Sequence, residues 1–245
     1  MSRRDYVKTG NLMSLPDSSV EKRKISNDMW KKQVFFHLLN FYKSYNILDI
    51  LKIINIKKIN PQIKVEDEIA LFLRNSLKYN RKFGLQGFLI AGGVNNDEEK
   101  KGLYDISVFH SDWRNDEGFP VEFHFECKNL NGSQNFVNKY VYYNTYEKDI
   151  NNENIYDGGV YRYFNGKYAQ NMNFGGMIGF VLEGNVTYTK NEIINKLNEK
   201  FNTSPNGDII RVIDDSIEQN NFTFDSYHNR FNSEFVIHHL LFNFS

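Results

Sequence analysis

Hydrophobic and polar residues alternate along residues 121–130, and this period of two predicts a β-strand. One face carries Val121, Phe123, Phe125 and Cys127, and the other carries Glu122, His124, Glu126 and Lys128. The simplest interpretation places the polar face in solvent. Upstream, the largely apolar run 103–109 predicts a neighbouring strand with one acid, Asp105. Two acids and a lysine on adjacent strands can instead converge on a single divalent cation.

The spacing of apolar residues elsewhere predicts helices around these strands. Helices are predicted at 27–57, with a break near residues 44–46, and at 64–77, 136–148, 156–169 and 189–201. Further strands are predicted at 88–94, 174–184, 208–213 and 235–242. Residues 1–24 lack periodicity, which predicts a loose segment or docking arm. Together the elements predict an α/β fold with a central mixed β-sheet flanked by helices.

The helix predicted at 64–77 contains an acid that can reach the strands. At about 100° per residue, Val65, Ile69 and Leu73 share one apolar stripe, and Glu66 lies about 60° from Ile69. Glu66 is therefore the acid of this helix that is expected to face the core. The helix dipole also favours an acid in the first turn without any further role, and the sequence leaves both interpretations open.

Charge and composition narrow the classes of function. The 30 basic and 30 acidic side chains cancel, which is unlike a stand-alone duplex-binding protein but allows a local basic groove. Cys127 is the single cysteine, so we expect no internal disulfide, no cysteine-based zinc site and a reducing compartment. Without a signal peptide or a run of about 18 apolar residues, the chain is expected to be cytoplasmic and outside membranes.

Asp105, followed by Glu126-Cys127-Lys128, resembles the D…(D/E)-x-K signature of the PD-(D/E)xK nuclease superfamily. The resemblance covers about Val65 to Gly184. It departs from the family pattern in two places. Tyr104 stands where the family name expects proline, and the interval from Asp105 to Glu126 is long, so that a loop at 110–118 has to absorb the excess.

The resemblance implies a restriction-endonuclease-like core at 61–245, preceded by an N-terminal arm and helical extension at 1–60. It also implies a Mg²⁺ cofactor, with Mn²⁺ as a substitute. The implied metal ligands are Asp105, Glu126 and the backbone carbonyl of Cys127, with Glu66 supporting this ion or binding a second one. Lys128 would orient water or hold the phosphate.

Two further sets of residues are candidates for the site. Gln134 follows the E-x-K sequence, where the family often has a glutamine or a basic residue, although an ordinary loop glutamine is the alternative. Tyrosines interleave with Lys139, Arg162 and Lys167. This pattern suits contacts with the phosphates and bases of nucleic acid, and equally suits a Tyr-rich packing surface.

The resemblance implies a metal-dependent endonuclease that hydrolyses phosphodiester bonds of nucleic acid, with DNA favoured. The neutral net charge and the N-terminal helices suggest the effector or a subunit of a restriction or anti-phage defence system, with a protein partner or a second copy of the chain. The alternative is a non-catalytic subunit on the same fold that binds nucleic acid or a partner. Convergence of Asp105, Glu126 and Lys128 at one point would favour the enzyme, because clustered buried charges are costly without a purpose.

Overall fold

The computed structural model describes residues 19–95, 103–114, 120–169, 172–199, 209–214 and 222–245. The helices in these ranges are α1 (Ser19–Ser44), α2 (Ile47–Ile59), α3 (Val65–Lys78), α4 (Arg81–Leu85), α5 (Gln134–Tyr140) and α6 (Val186–Leu197), with a 3₁₀ turn at Tyr161–Tyr163. The strands are β1 (Phe88–Ala91), β2 (Val94–Asn95), β3 (Leu103–Tyr104), β4 (Ile106–Arg114), β5 (Pro120–Leu130), β6 (Tyr143–Lys148), β7 (Asn154–Asp157), β8 (Phe174–Val181), β9 (Ile209–Asp214), β10 (Thr223–Arg230) and β11 (Ser233–Asn243).

Seven of the strands form one mixed sheet in the order β1-β4-β5-β8-β11-β10-β9. The central strands β5, β8 and β11 run parallel to one another, and the outer pairs on both sides are antiparallel. The pairs β2–β3 and β6–β7 form separate two-stranded ladders. The predicted central mixed sheet is therefore confirmed, and β4, β5 and β8 are among its strands.

Each face of the sheet is covered by helices and has its own apolar core. On one face, α1 and α3 pack on β5, with Phe35, Ile69 and Phe125 among the buried side chains. On the other face, α5 and α6 cover the sheet, with Tyr140 and Ile193 in the core. No described helix has an apolar stretch long enough to cross a membrane.

The polar face of β5 is not in solvent. Phe123, Phe125 and Cys127 are buried on the first face as predicted, but His124 and Glu126 on the second face are only 4% and 1% exposed. The interpretation of β5 as an ordinary amphipathic strand is therefore wrong. A buried carboxylate needs hydrogen-bonding or charged partners, and these partners define the site described below.

Two of the predicted helices are wrong where β-favouring or turn-forming residues prevail. Residues 136–148 contain the end of α5 and then strand β6, because the aromatic and threonine residues after Val141 suit an extended ladder. Residues 156–169 form the end of β7, a 3₁₀ turn and loops. Gly158 has φ of 140°, and a Cβ there would lie 2.6 Å from the Val141 carbonyl oxygen, so a helix cannot continue through it.

Other boundaries differ from the predictions by a few residues. The predicted strand 103–109 is interrupted at Asp105, which lies in a bend between β3 and β4, and β4 continues to Arg114 through part of the expected loop. The rest of that loop, 115–119, lies outside the described residues. Of the predicted loose segment 1–24, residues 19–24 are helical and 1–18 lie outside the described residues. The predicted break between α1 and α2 is confirmed, and Asn46 caps α2.

A partly buried ion pair anchors α1 to the far half of the sheet. Lys31 of α1 lies 3.0 Å from Oδ2 of Asp225 on β10, and Oδ1 of Asp225 lies 2.6 Å from Nδ1 of His238 on β11. Burial of Asp225 would raise its pKa, but the hydrogen bond and charge of His238, together with Lys31, outweigh this effect and hold the pKa below its usual range.

We predict that Asp225→Asn lowers the free energy of unfolding by about 1.5–3 kcal/mol at pH 7, because Lys31 and His238 lose a buried anionic acceptor. The depressed pKa means that this contribution is present above the unfolded-state pKa near 4 and is lost as the pH falls through the folded-state pKa. Urea unfolding between pH 7 and pH 3 measures the difference in the free energy of unfolding between the wild type and the variant. This difference should become smaller in acid.

The matched control is Asp49→Asn, which breaks the exposed pair of Asp49 with Lys52 at a similar distance of 2.9 Å. Its effect should stay below about 1 kcal/mol. Equal losses in the two variants would contradict an anchoring role for Asp225.

Candidate functional site

Strand β5 continues past Phe125, where its pairing with the first residue of β4 stops. Two acids accept hydrogen bonds from the β5 N–H groups that face this edge. The pairing of β4 with β5 reaches Ile106 opposite Phe125. Beyond it, the Cys127 N–H donates to Oδ2 of Asp105 at 2.6 Å, and the Asn129 N–H donates to Oε2 of Glu66 at 3.0 Å. Alternate residues of a strand direct their N–H groups to the same side, so the two acids lie one after the other along the edge of β5.

Lys128 connects Glu66 to Glu126 on the buried face of β5. Its ammonium donates to Oε1 of Glu126 at 2.6 Å, to Oε1 of Glu66 at 3.1 Å and to the Cys127 carbonyl at 2.9 Å. Burial would lower the pKa of Lys128, but the charges of Glu126, Glu66 and Asp105 outweigh burial and raise it. Lys128 therefore carries its proton and a full positive charge.

Glu126 has hydrogen-bond donors on both carboxylate oxygens. Lys128 and Nη1 of Arg162 each lie 2.6 Å from Oε1, and the Tyr168 hydroxyl donates to Oε2 at 2.8 Å. Arg162 and Tyr168 come from the irregular segment after β7, far from Glu126 in sequence. A buried carboxylate with two cations and a hydroxyl is electrostatically satisfied and held in one position.

Arg162 is itself held by a second acid. Its Nε and Nη2 donate to the two oxygens of Asp157 at 2.9 and 3.0 Å, which is a bidentate pairing. Burial would raise the pKa of Asp157, but the hydrogen bonds and charge of Arg162, together with Lys167 at 3.8 Å, lower it to about 2. Arg162 thus bridges two carboxylates, Asp157 and Glu126.

Asp105 is the acid of the cluster that lacks a cationic hydrogen-bond partner among the described residues. Burial, followed by the negative charges of Glu126 and Glu66, raises the pKa of Asp105 to about 7, although Lys128 and the Cys127 N–H act in the opposite direction. Arg74 of α3 donates to the backbone carbonyl of Asp105 and so fixes the bend. This hydrogen bond does not involve the Asp105 carboxylate. When Asp105 is ionised, the three carboxylates of this carboxylate cluster (Glu66, Asp105 and Glu126) outnumber its two cations, Lys128 and Arg162.

The structure brings six of the predicted residues together: Glu66, Asp105, Glu126, Cys127, Lys128 and Arg162. Gln134 instead donates to Glu192 of α6, and Lys139 is exposed with its ammonium 5.7 Å from the Phe136 ring centroid. The Lys167 ammonium lies 3.8 Å from Oδ1 of Asp157. No contact of Gln134 or Lys139 with the cluster occurs among the described residues, and their roles stay predictions.

Sequence reasoning missed Asp157 and Tyr168. Both lie in the segment predicted to be helical, which the structure shows as the end of β7, a 3₁₀ turn and loops. The available signal was the pair Gly158-Gly159, which is typical of a break in a helix and directly follows Asp157. Read as a loop, this segment places an acid, an arginine and a tyrosine where they can fold back on the sheet.

The donor set suits a hard divalent cation in its chemistry. All the candidate ligands are carboxylate or carbonyl oxygens, which Mg²⁺ prefers, and the cluster has excess negative charge when Asp105 is ionised.

The arrangement of the side chains is closed around Lys128. Within the described ranges, no group of three or more His, Cys, Asp or Glu side chains is positioned to hold a metal ion. The ammonium of Lys128 lies between Glu66 and Glu126 instead. Metal binding would therefore require Lys128 to move.

Comparison of the chain with family models, with curated proteins and with solved structures finds no match in any of the three. What can be said of function accordingly rests on the residues of the cluster and on the order of the elements that carry them.

We predict that Asp105→Asn stabilises the protein at pH 8. The raised pKa means that the folded state keeps a proton that the unfolded state loses, so stability falls as the pH rises from about 4 through about 7. An amide cannot ionise and still accepts the Cys127 N–H. The gain should reach at most about 4 kcal/mol above pH 7 and vanish near pH 4. Chemical unfolding of both proteins across this range provides the measurement, and a variant that is less stable than the wild type at pH 8 would contradict the expectation.

Proposed function

We propose that this chain is a metal-dependent nuclease that hydrolyses phosphodiester bonds of nucleic acid, with DNA favoured. The observation that carries the proposal is the meeting of Asp105, Glu126 and Lys128, the three residues of the D…E-x-K pattern, with Glu66 of α3. Glu66 and Asp105 are distant in sequence from Glu126 and Lys128, yet each accepts a hydrogen bond from the backbone of β5. The Lys128 ammonium then joins Glu66 to Glu126.

The order of the elements supports a restriction-endonuclease-like core. Helix α3 is followed by the antiparallel meander β1, β4 and β5, then by α5, and then by β8 parallel to β5. A meander that follows an acid-bearing helix is what such a core requires. Helices α1 and α2 then form an N-terminal extension that packs against the same face as α3.

The residues of the cluster divide the chemical work between them. Asp105, Glu126 and the Cys127 carbonyl would hold the divalent cation, with Glu66 beside them. When bound, the cation would make water easier to deprotonate and offset the charge that develops on the phosphate.

Lys128 is suited to positioning and charge more than to proton abstraction. Three carboxylates raise its pKa, so it remains protonated at neutral pH and cannot accept a proton. Once it leaves Glu126, its ammonium can orient water or bind a phosphate oxygen. Arg162, fixed by Asp157, keeps a second positive charge beside Glu126 and can serve the same substrate phosphate.

A neutral chain needs help to bind a polyanion tightly. With equal numbers of basic and acidic residues, long-range attraction to nucleic acid is weak. A protein partner or a second copy of the chain, as in a cytoplasmic restriction or anti-phage system, would supply recruitment.

One observation favours a second candidate, a non-catalytic subunit that binds nucleic acid or a partner. Both oxygens of Glu126 are already bonded to protein donors. Fixing the segment around Arg162 on the sheet would be a sufficient role for a closed network of this kind. Binding of nucleic acid or a partner would then take place elsewhere on the chain. The two candidates differ in whether a divalent cation displaces Lys128.

Cleavage of plasmid and oligonucleotide substrates with Mg²⁺ or Mn²⁺ tests the nuclease proposal. We predict that Glu126→Gln and Lys128→Met each reduce the rate by about 100–1000-fold, the range for loss of one positioned electrostatic group. Calorimetry with Mn²⁺ should separate their roles. Glu126→Gln removes a ligand and should abolish binding, whereas Lys128→Met removes only a competing cation and should retain it.

Glu68→Gln is the matched control, because Glu68 is an exposed acid on the same helix as Glu66. It should leave cleavage and metal binding unchanged, and circular dichroism should show that every variant is folded. A wild-type protein that binds no Mn²⁺ and cuts no substrate, alone or with a partner, would contradict the nuclease and favour the binding subunit.

A further inference from the structure

Arg230, at the end of β10, is a buried cation away from the carboxylate cluster. Arg230 as a whole residue is only 6% exposed. Nη1 donates to the Tyr163 carbonyl at 3.1 Å, and Nη2 donates to the carbonyls of Ala169, at 2.8 Å, and Met172. Among the described residues, no carboxylate accepts a hydrogen bond from Arg230. These contacts hold the segment that carries Arg162 and Tyr168, but they leave the positive charge without a counter-ion.

The guanidinium has five N–H donors. Within the part of the chain that the structure describes, three carbonyls account for three of these donors. Burial lowers the pKa of Arg230 to about 10, which reflects the cost of this charge. The Phe235 ring covers one side of the guanidinium, with 3.9 Å from Cζ to the ring centroid. A buried, uncompensated cation of this kind is favourable once an anion joins it.

Arg230 lines a cavity of about 430 Å³, which is within the usual range for small-molecule sites. Asn173 and Ser233 add polar groups to its lining. Glu234 also lines it and would repel an anion, but its carboxylate lies 2.8 Å from Arg211, which neutralises it. A single phosphate is much smaller than this volume, so the cavity has room for a larger ligand.

An aromatic side chain lies at the rim of the same cavity. Phe231 and Asn232 form the two-residue turn between β10 and β11, with φ of 52° and 61°. Asn is common in such turns, but a bulky residue at positive φ is strained. The Phe231 residue is nevertheless 61% exposed, so burial of its ring does not compensate for the strain. An exposed aromatic face is a surface on which a nucleobase can stack.

We propose that this cavity binds a nucleotide, with its phosphate on Arg230 and its base on Phe231. Asn173 and Ser233 supply further hydrogen bonds to the phosphate. The ligand is a phosphorylated nucleotide unit, either free or at the end of a strand. This site is separate from the carboxylate cluster and does not depend on the nuclease proposal, so either can fail without the other.

Calorimetry with AMP, adenosine and inorganic phosphate tests the site on the full chain without added metal. AMP should bind at least about tenfold more tightly than adenosine, because a hydrogen-bonded charge pair is lost in adenosine. It should bind at least about fivefold more tightly than inorganic phosphate, which lacks the stacking base. Trinucleotides with a 5′-phosphate or a 5′-hydroxyl then distinguish a strand end from a free nucleotide, and preference for the phosphorylated strand identifies the strand end.

Two variants test the lining without disturbing the core. Ser233→Asp places a negative charge in the cavity and should reduce AMP binding at least about tenfold. Phe231→Asn suits the positive φ and should weaken AMP binding at least about fivefold while leaving the binding of inorganic phosphate unchanged.

Arg230→Gln should abolish AMP binding, with its folding checked by circular dichroism. The remote, exposed Arg81→Gln is the matched control. No AMP binding at millimolar concentration, equal binding of AMP and adenosine, or Ser233→Asp binding like the wild type would each overturn the proposal.

Discussion

Two backbone N–H groups of β5 fix the positions of two acids, Asp105 and Glu66. Strand β5 continues past the end of β4, and the N–H groups of Cys127 and Asn129 take side-chain carboxylates as acceptors in place of a strand. Buried backbone donors must be paired, so Asp105 and Glu66 are held beside β5 by a requirement of the fold itself. The polar network that follows, from Lys128 outward, depends on this placement.

The charges gathered beside β5 lower the stability of the folded protein, because Asp105 is buried close to other carboxylates. Lys128 and Arg162 are shared between neighbouring carboxylates, and Asp105 is left to ionise only near neutral pH. Groups whose pKa is shifted by both burial and like charges are concentrated at functional sites, where they serve chemistry at a cost in stability. The same segment that delivers Arg162 to Glu126 is held at its other side by the buried Arg230.

The parts of the site that follow from local periodicity could be predicted from the sequence. The alternation along β5 placed Glu126 and Lys128 on one face, and the helical step of α3 placed Glu66 towards the sheet. The partners of Glu126 could not be predicted, because Arg162 and Tyr168 reach it through a loop whose course depends on Gly158. Burial of the polar face of β5 was likewise not visible in the alternation, since the covering segment is distant in sequence.

The central claim is that the carboxylate cluster is a divalent-cation site from which Lys128 can be displaced. Anomalous X-ray diffraction from crystals of the protein grown with Mn²⁺ at pH 8, where Asp105 is ionised, tests it most directly. The account predicts a Mn²⁺ peak bonded to Asp105 and Glu126, with the Lys128 ammonium moved away from Glu126. A cluster without a peak, with Lys128 still between Glu66 and Glu126, would contradict it.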